Sequence, residues 1–198
     1  MKKKIFGLIG AYCLVFSLNA QDGSKDYRNF PIIVTLQFHC FSLPFRDIKS
    51  NFSNVGIGVG TEVSYSGRQN WVQQVSALWY HNKAMGNGLL LYSQAVWRPT
   101  IQSDFYTEVK TGAGYLLSFR PTKSFELSDG KWIAAGRKGK GMLALPVGVS
   151  VGNNLYSSGT TISPFISYQF LLVSGMNKSI PVVPETLIQA GMRIHPAK

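Results

Sequence analysis

An antiparallel transmembrane β-barrel of about eight strands is the fold class that this sequence predicts, and three features predict it. The first is the stretch VGIGVGTEVSYS. There Val55, Ile57, Val59, Thr61, Val63 and Tyr65 share one face of an extended chain, against Gly56, Gly58, Gly60, Glu62, Ser64 and Ser66 on the other. A soluble barrel would turn that second face to water, and Gly and Ser lack the charge that keeps a surface soluble. A transmembrane barrel reverses the faces, giving lipid the apolar side and a narrow lumen the small and polar one. The second feature is that the pattern recurs in segments of 10–15 residues, enough for the about 9–11 that a tilted membrane strand requires. The third is a leader for export.

That leader is residues 1–20. Lys2, Lys3 and Lys4 precede a 14-residue apolar run, IFGLIGAYCLVFSL, and Asn19-Ala20 before Gln21 offers a small-residue cleavage site. The run falls short of the about 20 apolar residues of a membrane-spanning helix. Tyr12 stands before Cys13 where a lipoprotein signal needs a small residue. Residues 21–30 read as a short polar arm, 31–195 as the barrel and 196–198 as a tail. Strands are predicted at 31–43, 54–66, 70–81, 88–98, 105–119, 142–151, 162–173 and 182–194. The connections alternate in length. Residues 67–69 form a tight turn and 120–141 the longest loop, which places the long loop outside if the tight turn and both chain ends are periplasmic.

Three other strands repeat the opening pattern. Phe105, Thr107, Val109, Thr111, Ala113, Tyr115, Leu117 and Phe119 oppose Tyr106, Glu108, Lys110, Gly112, Gly114, Leu116 and Ser118. Leu143, Leu145, Val147, Val149 and Val151 oppose Ala144, Pro146, Gly148, Ser150 and Gly152. Ile162, Pro164, Ile166, Tyr168, Phe170 and Leu172 oppose Ser163, Phe165, Ser167, Gln169 and Leu171. Gln73 and Ser93 interrupt the faces that should be outer. Eight strands leave an interior just wide enough for side chains, so the glycines make room for long neighbours. Glu62, Glu108, Lys110, Glu185 and Arg193, with Arg98 beside them, are the expected lumen charge network, because charges buried together must pair or cost several kcal/mol each. Trp71, Trp79, Tyr80, Trp97, Phe105 and Phe119 fall near strand ends, as interfacial girdles do. Pro146, Pro164 and Pro184 conflict with a closed ladder and require local interruptions.

Without residues 1–20 the chain carries 17 Lys and Arg against 9 Asp and Glu, a net charge of +8. Cys40 is the one cysteine left, which rules out an internal disulfide. Together with the widely spaced His39, His81 and His195 it lacks metal-ligand spacing, so no metal or cofactor is expected. Cys40 should be a buried, unreactive thiol of the barrel wall beside Ile32, Val34, Leu36 and Phe38. The 120–141 loop holds Arg120, Lys123, Lys131, Arg137, Lys138 and Lys140 around Trp132 and Ile133. Nucleic acid is excluded as its partner by export; lipopolysaccharide phosphates or an acidic protein fit its charge.

The architecture, carried by the leader, VGIGVGTEVSYS, MLALPVGVSVG and the length, resembles the OmpA-type and OmpX-type eight-stranded barrels of Gram-negative outer membranes. The Ala20-Gln21 junction is similar to those of the Bacteroidota. The ending Ile194-His195-Pro196-Ala197-Lys198 departs from the terminal aromatic usual in such barrels. The resemblance implies an outer-membrane location and contact with its lipid and other outer-membrane proteins. A non-enzymatic structural or interaction role is expected, as an accessory subunit of an envelope complex acting through its outer loops, with Arg120, Lys131, Trp132, Arg137, Lys138 and Lys140 as the interacting residues. Two readings compete with it. One is a lipid A deacylase-like enzyme using His39 or His81, a serine and Glu62 or Glu108, although His81 is followed by Asn82 rather than by the expected serine. The other is a soluble secreted β-barrel or sandwich.

Overall fold

The computed structural model describes residues 30–40, 52, 54–82, 86–102, 104–119, 124–128, 130–136, 139–157, 160–176 and 181–195. Eight strands build the wall: β1 (Ile32–Cys40), β2 (Val55–Ser64), β3 (Trp71–Asn82), β4 (Gly86–Trp97), β6 (Phe105–Phe119), β9 (Gly139–Asn153), β11 (Thr160–Ser174) and β12 (Val182–His195). Two short strands, β5 (Thr100–Gln102) and β10 (Leu155–Ser157), continue β4 and β9 past breaks at Arg98-Pro99 and Asn154. The last two, β7 (Ser124–Ser128) and β8 (Lys131–Gly136), form a separate hairpin.

Every wall strand pairs antiparallel with two neighbours, and β1 pairs with both β2 and β12, so the sheet closes on itself. Paired residues can be followed round the ring from Ile33 through Gly60, Ser76, Tyr92, Gly114, Ala144, Val173 and Val183. Val183 registers three positions beyond Cys40, a stagger of ten residues in one circuit. That stagger inclines the strands to the barrel axis by about 35–45°. One end, here the terminal rim, carries the start of β1 and the end of β12. The other, the loop rim, carries the 41–54, 83–85, 120–138 and 175–181 connections.

Strict alternation sends large apolar side chains outward. Ile57, Leu143 and Ile166 are more than 60% exposed while Gly58, Ala144 and Phe165 beside them are buried. The lumen is solid, because neighbouring glycines let large inward side chains fold flat across them. A Cβ on Gly88 would strike the Tyr80 ring, and one on Gly152 would strike Tyr106 and lie 2.7 Å from the Pro164 carbonyl oxygen. The inward glycines of VGIGVG answer to the same geometry: a Cβ on Gly58 would sit 2.5 Å from Thr35 Oγ1.

The prolines fall where ladders are interrupted. Pro184 lies beyond the last β1–β12 pair, Cys40↔Thr186. Pro164 faces the break between β9 and β10. Pro146 sits in the gap between the Thr111↔Val147 and Gly114↔Ala144 pairs of β6 and β9. A residue with no N–H is tolerated only at such places.

Candidate functional site

Ten residues of stagger over eight strands sort the inward residues into three layers along the axis. Nearest the terminal rim is an ionic layer. Arg98, delivered by the β4–β5 break, donates Nη2 to Glu62 Oε2 at 2.8 Å and Nε to Glu108 Oε1 at 2.6 Å. Arg193 of β12 spans the same two acids, with Nε 2.9 Å from Glu62 Oε1 and Nη2 2.8 Å from Glu108 Oε1, and donates Nη1 to the Tyr106 hydroxyl at 3.0 Å. Two arginines and two glutamates thus close a neutral square from four strands' worth of wall. Lys110 Nζ lies 2.7 Å from Glu108 Oε2 and 4.9 Å above the centre of the Phe165 ring. Its charge is a surplus over that square. All five groups are buried, and low permittivity makes each pair strong and each broken pair costly.

Above it lies a glutamine layer. Gln169 Nε2 donates to Gln189 Oε1 at 2.8 Å, and Gln189 Nε2 to Gln37 Oε1 at 2.9 Å. Gln74 Nε2 donates to Ser76 Oγ at 2.9 Å, and Gln94 is fully buried beside it. These residues were not singled out from the sequence. Each alternates with more exposed neighbours on its strand, and that period-two position is the signal that could have found them.

The third layer corrects the expectation of a polar lumen throughout. Leu78, Leu90, Leu116, Leu171 and Leu187, with Met142, Ala144 and Val173, point inward in the loop-side half and cluster there with Tyr80 and Tyr92, Leu187 and Leu171 standing in register with His39 and Glu185. Their strands are apolar on both parities here, so alternation of polarity alone could not reveal them.

Glu185 is a second correction. It lies outside the ionic layer, on the loop side, where Glu185 Oε2 is 2.9 Å from His39 Nε2 and accepts from the Tyr80 hydroxyl at 3.4 Å. Asn82 Nδ2 lies 3.0 Å from His39 Nδ1, and the Tyr80 ring stacks on the imidazole with centroids 4.1 Å apart. Tyr80 is therefore a lumen residue rather than part of a girdle. Its outward neighbour Trp79 contacts Phe119, and Trp71 pairs with Trp97 near the other rim. His81 is exposed, with Nδ1 2.6 Å from Asn87 Oδ1. On the outer wall Gln73 donates to Ser93 Oγ at 2.5 Å, so the two residues that interrupt the apolar faces satisfy each other. Cys40 keeps the outward parity of Ile32 to Phe38 and is buried.

Part of the 120–141 segment is strand. It contains the β7–β8 hairpin, turned at Gly130 with φ +74°. Lys131, Trp132 and Ile133 begin β8, with Trp132 71% and Ile133 56% exposed. Lys140 is exposed at the start of β9 and donates Nζ to the Met176 carbonyl at 3.1 Å, joining this segment to the 175–181 connection. Arg120, Arg137 and Lys138 lie outside the described residues. Among the described residues no group of three His, Cys, Asp or Glu side chains is placed to hold a metal.

No family model matches the chain, and no curated protein matches it. Solved structures do. Neisserial surface protein A superposes with a TM-score of 0.52 at 12% identity, over 87% of this chain and 99% of that one. The fold is that of the eight-stranded outer-membrane β-barrels. Weaker likenesses are Ail, the attachment invasion locus protein of Yersinia pestis, and the N-terminal barrel domain of Pseudomonas aeruginosa OprF. Each has a TM-score of 0.45 at 12% identity; Ail matches over 84% of this chain and 97% of its own, OprF over 83% and 96%.

Proposed function

We propose that this protein is a non-enzymatic barrel of the outer membrane, sealed to solutes, that acts as an interaction protein through its loop rim. The observation that carries the reading is the β7–β8 hairpin, a two-stranded sheet separate from the wall that presents Trp132 and Ile133 to the surroundings. An exposed tryptophan is a residue type from which interface anchors are commonly built. Charge supports it as well. Sequence segments 41–54, 83–85, 120–141 and 175–181, which join the strands at the loop rim, together hold ten Lys and Arg and three Asp and Glu. With that rim outside, the partner is the phosphate-bearing face of lipopolysaccharide, drawn in by charge and held by Trp132. The wall supports the membrane location, since its exposed side chains are Val, Ile and Leu between aromatic rims.

The enzymatic reading has less behind it. His39 is taken up by Glu185 and Asn82, and His81 by Asn87, whereas nucleophilic catalysis needs a base aimed at a hydroxyl. The test is retention of purified lipopolysaccharide by barrel in neutral detergent. Trp132→Ala with Arg137, Lys138 and Lys140 changed to Ser should lose at least about tenfold in retention, the loss of one anchor and three charges, while heat-modifiable gel mobility stays native. Unchanged retention by that folded variant would sink the proposal, and deacylation of the lipid by wild type but not by His81→Ala would replace it with the enzyme.

A further inference from the structure

We propose that the outer wall at β3, β4 and β6 carries a binding site for one glycerophospholipid of the leaflet at the terminal rim. The wall differs in this sector. On β9 every outward residue from Leu143 to Val151 is Leu or Val, whereas Gln73, Ser93, Ala95, Thr111 and Ala113 adjoin one another in register across β3, β4 and β6. Gln73, Ser93 and Ala95 are half-buried beside the larger, exposed Val75 and Leu91, so the short and polar side chains floor a shallow recess. A chain of hydrogen bonds crosses it. The Tyr65 hydroxyl donates to Gln73 Oε1, Gln73 Nε2 to Ser93 Oγ, and Ser93 Oγ to the Gln74 carbonyl at 3.3 Å. That chain uses the Gln73 carbonyl and one of its two amide hydrogens. The second amide hydrogen and the outward Thr111 hydroxyl have no partner among the described residues.

Depth and chemistry select the occupant. Trp71 and Trp97 pair at the rim with ring centroids 6.3 Å apart, and tryptophan rings mark the membrane–water interface. Two residues along β3 from Trp71, Gln73 lies about 5 Å deeper at the rise of a tilted strand. There the glycerol esters of a phospholipid meet its acyl chains. Hydrocarbon leaves a donor unsatisfied, which is costly. Ester carbonyls are acceptors and bring no donor, so they match the two spare donors of the wall. A second copy of this wall would instead bring the same surplus of donors. On the water side of Trp71 the 65–70 turn exposes Arg68, and Ser64 Oγ donates to the Arg68 carbonyl. A guanidinium at that height fits the phosphate that lies outside the esters. The acyl chain then runs over Ala95 and Ala113, where side chains are short. The orientation proposed above enters only in naming the leaflet, as the one without lipopolysaccharide; the site itself is the same whichever rim faces out.

Native mass spectrometry of the full barrel in neutral detergent, with palmitoyl-oleoyl phosphatidylglycerol as the probe, tests this. Wild type should retain one molecule of the ester lipid. Gln73→Leu with Thr111→Val, shown folded by heat-modifiable gel mobility, should bind it at least about tenfold more weakly, the worth of two hydrogen bonds. The ether-linked analogue keeps the phosphate but lacks the carbonyls, and wild type should bind it as weakly as that variant binds the ester. Arg68→Ser should weaken phosphatidylglycerol about threefold and leave palmitoyl-oleoyl glycerol, which has no phosphate, unchanged. Equal retention of ester and ether lipid by wild type, equal retention of the ester by wild type and the double variant, or no loss in Arg68→Ser overturns the proposal. A species of twice the mass that disappears in the double variant would overturn it too, by placing a second copy of the chain on this wall. The ester and ether comparison needs no variant, so it decides even if the double variant fails to fold.

Discussion

At the scale of single residues, the inward glycines and the ion square are where one atom decides an outcome. Gly112 has no room for a methyl group, because a Cβ would strike the Ser93 carbonyl oxygen of the neighbouring strand. Backbone cannot swing aside as a side chain can, so Gly112→Ala should cost about 1–3 kcal/mol, the range for overpacking. Urea unfolding followed by gel mobility measures it, with Gly67→Ala, which meets nothing within 4 Å, as the position where only the positive φ is at stake. In the ion square Glu108 meets Arg98, Arg193 and Lys110. Removing it leaves three buried cations beside one acid, so Glu108→Ala should destabilise by about 3–5 kcal/mol. Glu108→Gln with Lys110→Met should recover part of that loss, since it removes one charge of each sign. Much of this was legible from residue type: Glu62, Glu108, Lys110 and Arg193 stand on inward parities beside glycines. The attachment of Glu185 to His39 was not. Which acid meets which base depends on the ten-residue stagger, and no alternation within one strand encodes the register between strands.

Strands were the most legible elements, because apolar and small side chains alternate at a period that helices cannot share. The segment predicted at 105–119 is β6 as observed, and β2 and β12 differ from their predicted spans by one or two residues. Two elements escaped. The β7–β8 hairpin was hidden in a stretch whose many Lys, Ser and Gly read as loop, although Asp129-Gly130 between FEL and WIA is a hairpin turn pair. The apolar layer was hidden because Leu89, Leu90 and Leu91 run together without alternation, leaving the direction of Leu90 to its neighbours Leu78 and Leu116. The independence of the hairpin from the wall has its own consequence. Trp132→Ala and Ile133→Ala should leave unfolding of the barrel within about 0.5 kcal/mol of wild type, as exposed substitutions do. A larger change would mean that the hairpin packs on the barrel. Outward aromatics at Trp71 and Trp79, eight residues apart on one strand, set an apolar belt about 20 Å tall at the rise of a tilted strand. Tryptophan fluorescence quenching by brominated lipids should therefore be weak at Trp79 and Trp71 for mid-chain bromines and stronger for bromines near the headgroup.

At the scale of the whole molecule, solidity is the governing property. Charged, amide and leucine layers succeed one another along the axis, so the pure protein should show no steady large-conductance openings in planar bilayers; such openings would contradict the filled lumen. The distribution of charge is equally lopsided. The buried acids and bases of the lumen nearly cancel, and most of the net charge of residues 21–198 falls in connections at one rim. The closed ring also has a consequence in time. Its final ladder joins residues such as Gln37 and Gln189, separated by 152 positions, so β1 waits with an open edge until the last strand has been made. Folding rates fall as contacting residues grow distant along the chain, and a sheet lacking one strand keeps two unsatisfied edges, which lipid does not tolerate. Assembly should accordingly be slow and all-or-none. A chain ending at Ser174 should give no heat-modifiable species, and a chaperone must shield β1 for as long as synthesis of β12 takes.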